Sequence, residues 1–142
     1  MLFRSYSGLW FSLALRKTGG KLITHELDPK RASQARENFK RAGVDNLITV
    51  VEGNAHETIA NLKDRLTGPI DLLFMDADRD GYIDYMKKLL PLIRPGGLIL
   101  THNMRPPGNN KEYTNAITTN PELESIFLNM HAAGMGVTLK RR

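Results

Sequence analysis

The stretch IDLLFMDAD, residues 70–78, is an almost continuous apolar run that leads directly into two aspartates. Gly68 and Pro69 come before it, so a turn separates the run from the preceding segment. A short apolar run bounded in this way is typical of a β-strand buried on both faces of a parallel sheet. We therefore predict a strand over residues 70–75 with an acidic loop at its carboxyl end.

Helix and strand patterns alternate on both sides of this strand. Upstream, the sequence predicts helices over residues 8–17, 29–42 and 55–66 and strands over 21–26 and 47–51. Downstream, it predicts a helix over 81–92, a turn at 95–97, a strand over 98–101, a polar loop over 105–110, a helix over 112–118, and two strands over 125–130 and 136–140 joined at 132–134. This order indicates an α/β fold with a mostly parallel sheet and a C-terminal antiparallel hairpin.

Composition narrows the class of protein. A chain of 142 residues with 41% hydrophobic residues has the size of one ordinary domain, so we expect a single domain over residues 1–142. No apolar run approaches the ~20 residues that span a bilayer, which predicts no membrane partner and a cytoplasmic location. The chain has no cysteine, so any metal ion would be bound by oxygen or imidazole ligands.

The net charge of +5 does not by itself indicate a nucleic-acid partner. Lysines and arginines are spread over predicted helices and are interleaved with acidic residues such as Glu37 and Asp45. A solvated helix face explains this distribution, so we expect a small-molecule partner and no nucleic acid.

Polar residues follow each predicted parallel strand at its carboxyl end, where open α/β sheets bind their ligands. They are Glu26, the run from Asn54 to His56, the run from Asp76 to Asp80, and the run from Thr101 to Asn103. Some of these residues also have a purely structural explanation: Asn54 and Asp80 are suited to capping helices. The neighbouring His25 is likewise explained if it faces a helix or solvent. Together they predict one binding rim.

Four segments carry a resemblance to a known family. KLITHELD (21–28), VEGNAH (51–56), DLLFMDAD (71–78) and LPLIRPGGLIL (90–100) are similar, in order and spacing, to motifs of class I S-adenosylmethionine-dependent O-methyltransferases of the caffeoyl-CoA and catechol type. The resemblance implies a Rossmann-like sheet and transfer of a methyl group to a small phenolic or catechol-type hydroxyl. In this family a divalent cation, Mg²⁺ or Mn²⁺, chelates the acceptor oxygens and lowers the pKa of the hydroxyl.

The resemblance also assigns roles to residues of this chain. Glu26 resembles the acid that binds both ribose hydroxyls of the cofactor, and the segment from Asn54 through Ala55 to His56 resembles the lining of the adenine site. Tyr6 and Ser7 match the residues beside the methionine end of the cofactor. Asp76 is expected to contact the cofactor and, with Asn103, to bind the cation.

Two positions depart from the family pattern. His102 stands where the family has an aspartate, and three interpretations remain open: a ligand that shifts metal preference toward Mn²⁺, Fe²⁺ or Zn²⁺, a general base, or a residue without a direct role. Arg79 stands where the family often has a lysine. Because arginine stays protonated, Arg79 can stabilise an oxyanion but cannot act as a base.

The family's glycine loop, E-x-G-x-x-x-G, is absent from this sequence, and residues 1–5 do not match the family. We therefore expect an N-terminally truncated domain that carries a non-native leader before Tyr6 and lacks the first central strand. The gap would be closed by the two flanking strands, by residues 1–5, or by a second subunit. The last option predicts a homodimer, with domain swapping as one form of it.

Two other functions compete with methyl transfer. One is a catalytically impaired remnant of the fold that binds an adenosine-type ligand or only associates with itself. The other is a metal-dependent activity built on Asp76, His102 and Asn103 in the vacated cleft.

Overall fold

A computed structural model describes residues 6–105, 110–129 and 133–142. The chain divides into two compact units, Met1–Thr58 and Ile59–Arg142, which are described separately. The predicted leader at 1–5, most of the predicted loop at 105–110, and part of the hairpin connection lie outside the described residues. No helix within the described ranges has the length and apolar character needed to cross a membrane.

The first unit contains a two-stranded parallel sheet and three helices. Its elements are α1 (Tyr6–Thr18), β1 (Leu22–Glu26), α2 (Pro29–Arg41), β2 (Ile48–Glu52) and α3 (Ala55–Thr58). Strand β1 pairs with β2 from Leu22 opposite Ile48 to Glu26 opposite Glu52, so both strands end at the same edge. Ala35 and Phe39 of α2 pack with Val44 and Ile48 in the core of this unit.

Helix α2 begins where the sequence predicts. The side chain of Asp28 accepts hydrogen bonds from the backbone N–H groups of Lys30 and Arg31, and Pro29 is the first helical residue. Ala32, Ala35 and Phe39 are buried, and their spacing of three and four residues places them on one helical face. Ala42, the last residue of the predicted helix, is instead the exposed C-cap, because the helix ends one residue earlier.

The second unit contains a four-stranded mixed sheet in the order β3-β4-β6-β5. Its strands and α-helices are β3 (Ile70–Met75), α4 (Tyr82–Leu89), β4 (Ile93–His102), α5 (Lys111–Thr119), β5 (Leu123–Leu128) and β6 (Met135–Lys140). Short 3₁₀ helices cover Ile59–Arg65, Arg79–Gly81 and Leu90–Leu92. Strand β3 pairs with β4 in parallel, whereas β6 is antiparallel to both β4 and β5, which confirms the predicted hairpin.

Three sequence predictions in this region need correction. The helix predicted over 55–66 divides into α3 and the 3₁₀ helix from Ile59 to Arg65. Strand β3 is not buried on both faces: Leu72 is 38% exposed, because β3 lies at the edge of its sheet. The turn predicted at 95–97 is a bulge inside the longer strand β4, since Ile70 pairs with Ile93 but Leu72 pairs with Leu98.

Glycine makes this bulge sterically feasible. Gly96 has φ of +78°, and a Cβ on Gly97 would lie 2.6 Å from Cγ2 of Ile93 and 2.9 Å from the carbonyl oxygen of Arg94. The family-like segment at 90–100 therefore shapes β4 before the strand reaches His102.

Strand β1 lies in the sheet of the first unit, and β3 lies in the sheet of the second. How the place of the missing central strand is filled stays a prediction. The single-domain organisation stays a prediction.

Candidate functional site

The first group of predicted residues lies at the carboxyl ends of β1 and β2. Glu26 is half-buried, and its Oε1 accepts a hydrogen bond from the backbone N–H of Asp28 at 3.0 Å. The backbone N–H of Gly53 donates to the Glu26 carbonyl at 2.9 Å, which joins the two strand ends. The carboxylate is therefore oriented by its own turn, and Oε2 has no hydrogen-bond partner among the described residues.

The segment after β2 turns sharply into α3. Gly53 has φ of +126°, a conformation that side chains rarely adopt. The Oδ1 atom of Asn54 accepts from the backbone N–H of His56 at 3.0 Å, so Asn54 caps the helix, in line with the simpler explanation for this residue. Ala55 and His56 are half-buried, and His25 contacts α3 through Thr58, with 2.8 Å between Nδ1 and Oγ1.

Tyr6 and Ser7 lie in the first turn of α1, and both are exposed. The Tyr6 ring meets the Trp10 ring edge to face, with centroids 6.0 Å apart. Within the described ranges, no hydrogen bond or ring contact joins either residue to Glu26 or Asn54. Their role at the methionine end of the cofactor stays a prediction.

The second group lies at the carboxyl ends of β3 and β4. The parallel register places Met75 opposite Thr101, so the next residues, Asp76 and His102, are neighbours. Oδ1 of Asp76 lies 2.8 Å from Nδ1 of His102, and the two side chains are 49% and 38% exposed. A carboxylate that contacts an imidazole fixes the orientation of its ring while leaving the other ring nitrogen for chemistry.

Asn103 follows in an unusual backbone conformation, since its φ of +61° is the only positive value at a non-glycine residue within the described ranges. Its side chain lies beside the phenol of Tyr82. The Tyr82 hydroxyl donates to the carbonyl oxygen of His102 at 3.2 Å. Asp76, His102 and Asn103 are therefore brought to one end of the sheet, as the sequence predicts.

Tyr82 is the residue at this end of the sheet that sequence reasoning missed. In the sequence it is one of several apolar or aromatic residues in a predicted helix, and its burial agrees with a core role. Burial first, and the negative charge of Asp76 second, raise the pKa of Tyr82 to about 12. The phenol therefore keeps its proton at neutral pH.

The loop between β3 and α4 carries Arg79. Its side chain is exposed, and its carbonyl oxygen accepts from Nδ2 of Asn110 at 2.9 Å, which connects this loop to the start of α5. Asp78 accepts from the hydroxyl of Tyr85 at 2.6 Å, and burial raises the pKa of Tyr85. Asp80 does not cap α4, because Gly81 occupies the N-cap position.

The donor set at this end limits what it can bind. No group of three or more histidines and carboxylates suited to a metal ion occurs within the described ranges. Asp76, His102 and Asn103 offer one carboxylate, one imidazole and one amide. These three donors fit a divalent cation whose remaining ligands are oxygens of water or of the acceptor. A donor set that includes imidazole favours Mn²⁺ over Mg²⁺.

Comparison with known proteins adds a second line of evidence. A family model described as O-methyltransferase matches residues 1–133, so the match includes residues 1–5, which we expected not to match. A catechol O-methyltransferase of Niastella koreensis is 40% identical over 70% of this chain and 44% of its own length. Caffeoyl-CoA O-methyltransferase 1 of Eucalyptus globulus is 30% identical over 99% of this chain and 64% of its own length. The chain thus spans less than two thirds of either relative.

Among solved structures, the O-methyltransferase from Bacillus cereus in complex with SAH superposes with a TM-score of 0.88 at 24% identity. The match covers 97% of this chain and 70% of that one. At this identity the likeness concerns the fold.

Proposed function

Since this chain belongs to the O-methyltransferase family of class I S-adenosylmethionine-dependent methyltransferases, we propose that it transfers a methyl group from S-adenosylmethionine to a hydroxyl of a small catechol-type acceptor. The Rossmann-like α/β fold predicted from the sequence is confirmed by the likeness to the Bacillus cereus structure. The observation that carries the proposal is the contact between Asp76 and His102 beside Asn103, because O-methylation needs groups that manage the charge and proton of the acceptor hydroxyl.

In this proposal, the first unit binds the adenosine part of the cofactor. Glu26 presents a carboxylate with one oxygen held by the Asp28 N–H, which suits the other oxygen to a ribose hydroxyl. Ala55 and His56 would line the adenine, while the Asn54 side chain stabilises the turn that presents them. These contacts orient the cofactor and take no part in the bond changes.

The second unit is proposed to act on the acceptor. When bound, S-adenosylmethionine supplies a methyl group that its sulfonium sulfur makes electrophilic. The acceptor oxygen would take this methyl group, and the sulfur would keep the electron pair of the broken carbon–sulfur bond. The hydroxyl proton must leave, and the positive charge of Arg79 would stabilise the resulting phenolate.

His102 has two candidate roles in this scheme. With Asp76 and Asn103 it would bind a divalent cation that lowers the pKa of the acceptor hydroxyl. Alternatively, its imidazole would accept the hydroxyl proton directly while Asp76 holds the ring. The mixed donor set favours Mn²⁺ over Mg²⁺ for the first role. The homodimer and the cytoplasmic location stay predictions.

Calorimetric titration with S-adenosylhomocysteine, with and without Mn²⁺ or Mg²⁺, tests the proposal when followed by a methylation assay on catechol. We expect saturable binding and a methylated product. Binding without product would support the impaired remnant instead. Absence of binding would refute both cofactor-based functions.

A further inference from the structure

The hydroxyl of Tyr82 faces the segment that carries the acceptor-side residues. It donates its single proton to the carbonyl oxygen of His102 at 3.2 Å. The Asn103 side chain lies beside the same hydroxyl. Because the phenolic proton already goes to His102, an amide that contacts the phenolic oxygen presents its nitrogen there.

This pattern decides which atom of the Asn103 amide is left for other partners. With the amide nitrogen donating to Tyr82, the amide oxygen is the atom that remains. That oxygen is the one a cation or an acceptor hydroxyl would use. Asn103 also holds a left-handed backbone, with φ of +61°, which the surrounding contacts must maintain.

We propose that Tyr82 is a positioning residue that holds the His102–Asn103 backbone and turns the Asn103 amide oxygen toward the acceptor side of the site. The inference rests on the proposed function and adds to it a residue on α4 that touches neither cofactor nor acceptor.

The surroundings of Tyr82 suit such a role. The residue is fully buried, and its ring packs edge to face against Tyr113, with centroids 5.5 Å apart. A buried ring held in this way has little freedom to rotate, so the position of its hydroxyl is set by the core.

Tyr113 provides a matched control. It is also fully buried, and its hydroxyl bonds to Oγ1 of Thr101 at 2.7 Å rather than to His102 or Asn103. Tyr82→Phe and Tyr113→Phe each delete one buried hydroxyl and keep the aromatic pair. A general loss of core stability should appear in both variants, whereas loss of positioning should appear only in Tyr82→Phe.

Two measurements on the full chain decide between these outcomes. In steady-state kinetics, Tyr82→Phe should lower kcat about tenfold, as expected for the loss of a buried hydrogen bond, and leave S-adenosylhomocysteine affinity unchanged. In hydrogen–deuterium exchange without ligands, the amides of residues 102–105 should exchange faster in Tyr82→Phe than in Tyr113→Phe. Tyr82→Phe should cost less activity in the Asn103→Gly background than in the wild-type chain, because Asn103→Gly already removes the amide that Tyr82 positions.

Equal exchange in the two phenylalanine variants would overturn the inference whether or not the wild-type chain is active. Faster exchange with an unchanged kcat in an active protein would overturn it as well. If the wild-type chain neither binds S-adenosylhomocysteine nor methylates catechol, the proposed function is refuted by that result alone. The exchange comparison still shows whether Tyr82 holds the His102–Asn103 backbone.

Discussion

Glu26→Ala is expected to weaken S-adenosylhomocysteine binding about a hundredfold or more. Hydrogen bonds to a charged group contribute roughly 1.5–3 kcal/mol each, and the proposed carboxylate accepts from ribose hydroxyls. The Asp28 N–H holds Oε1 of Glu26 at 3.0 Å, so the carboxylate is already oriented before ligand binds. Calorimetric titration of the two proteins under the same conditions measures the difference.

Glu52→Ala is the matched control for this change. Glu52 lies directly opposite Glu26 in the β1–β2 pair, but its carboxylate forms an exposed ion pair with Arg36 at 3.1 Å. Its removal should leave the affinity unchanged, because such pairs contribute little. Retained affinity in Glu26→Ala, in a protein with unaltered thermal unfolding, would refute the ribose-binding role.

Asp76→Ala is expected to lower methyl transfer to catechol by about a hundredfold or more, with cofactor saturating. A loss is expected for either role of His102. If His102 binds a cation, the cation loses the Asp76 carboxylate as a ligand. If His102 is the base, its ring loses the carboxylate that orients it, with 2.8 Å between Nδ1 and Oδ1. Single-turnover kinetics separates this loss from any change in product release.

Asp71→Ala serves as the control on the same strand. The Asp71 side chain is 77% exposed and pairs with Arg94 at 2.6 Å, at the opposite end of β3 from Asp76. Activity should survive this change. An active Asp76→Ala protein would show that the acceptor-side assignment is wrong.

His102→Asp then separates the two roles of the imidazole. If His102 is a cation ligand, the new carboxylate restores the family's oxygen ligand, and activity with Mg²⁺ should rise relative to activity with Mn²⁺. If His102 is a base, the variant should lose activity, and neither cation should restore it. A residue without a direct role predicts no change with either cation.

Local sequence signals predicted much of the fold. Asp28 and Pro29 mark the predicted start of α2, and the alternation of helix and strand patterns indicates an α/β fold. Gly19, with φ of +73°, follows the last residue of α1. The signals failed where burial depends on neighbours distant in sequence. Leu72 is apolar, but its exposure follows from the position of β3 at a sheet edge. Likewise, the Pro-Gly-Gly motif looked like a turn because only strand pairing reveals a bulge.

For the candidate site, the sequence by itself determined which residues follow the strands and which family they resemble. It left His102 with three interpretations, because a residue's neighbours across a sheet cannot be deduced from its own segment. The parallel register of β3 and β4 decided that His102 contacts Asp76, a residue 26 positions away. The packing of α4 likewise decided that a core tyrosine reaches Asn103. Hydrogen bonds need their atoms within about 3 Å, and only the tertiary structure sets such distances between remote segments.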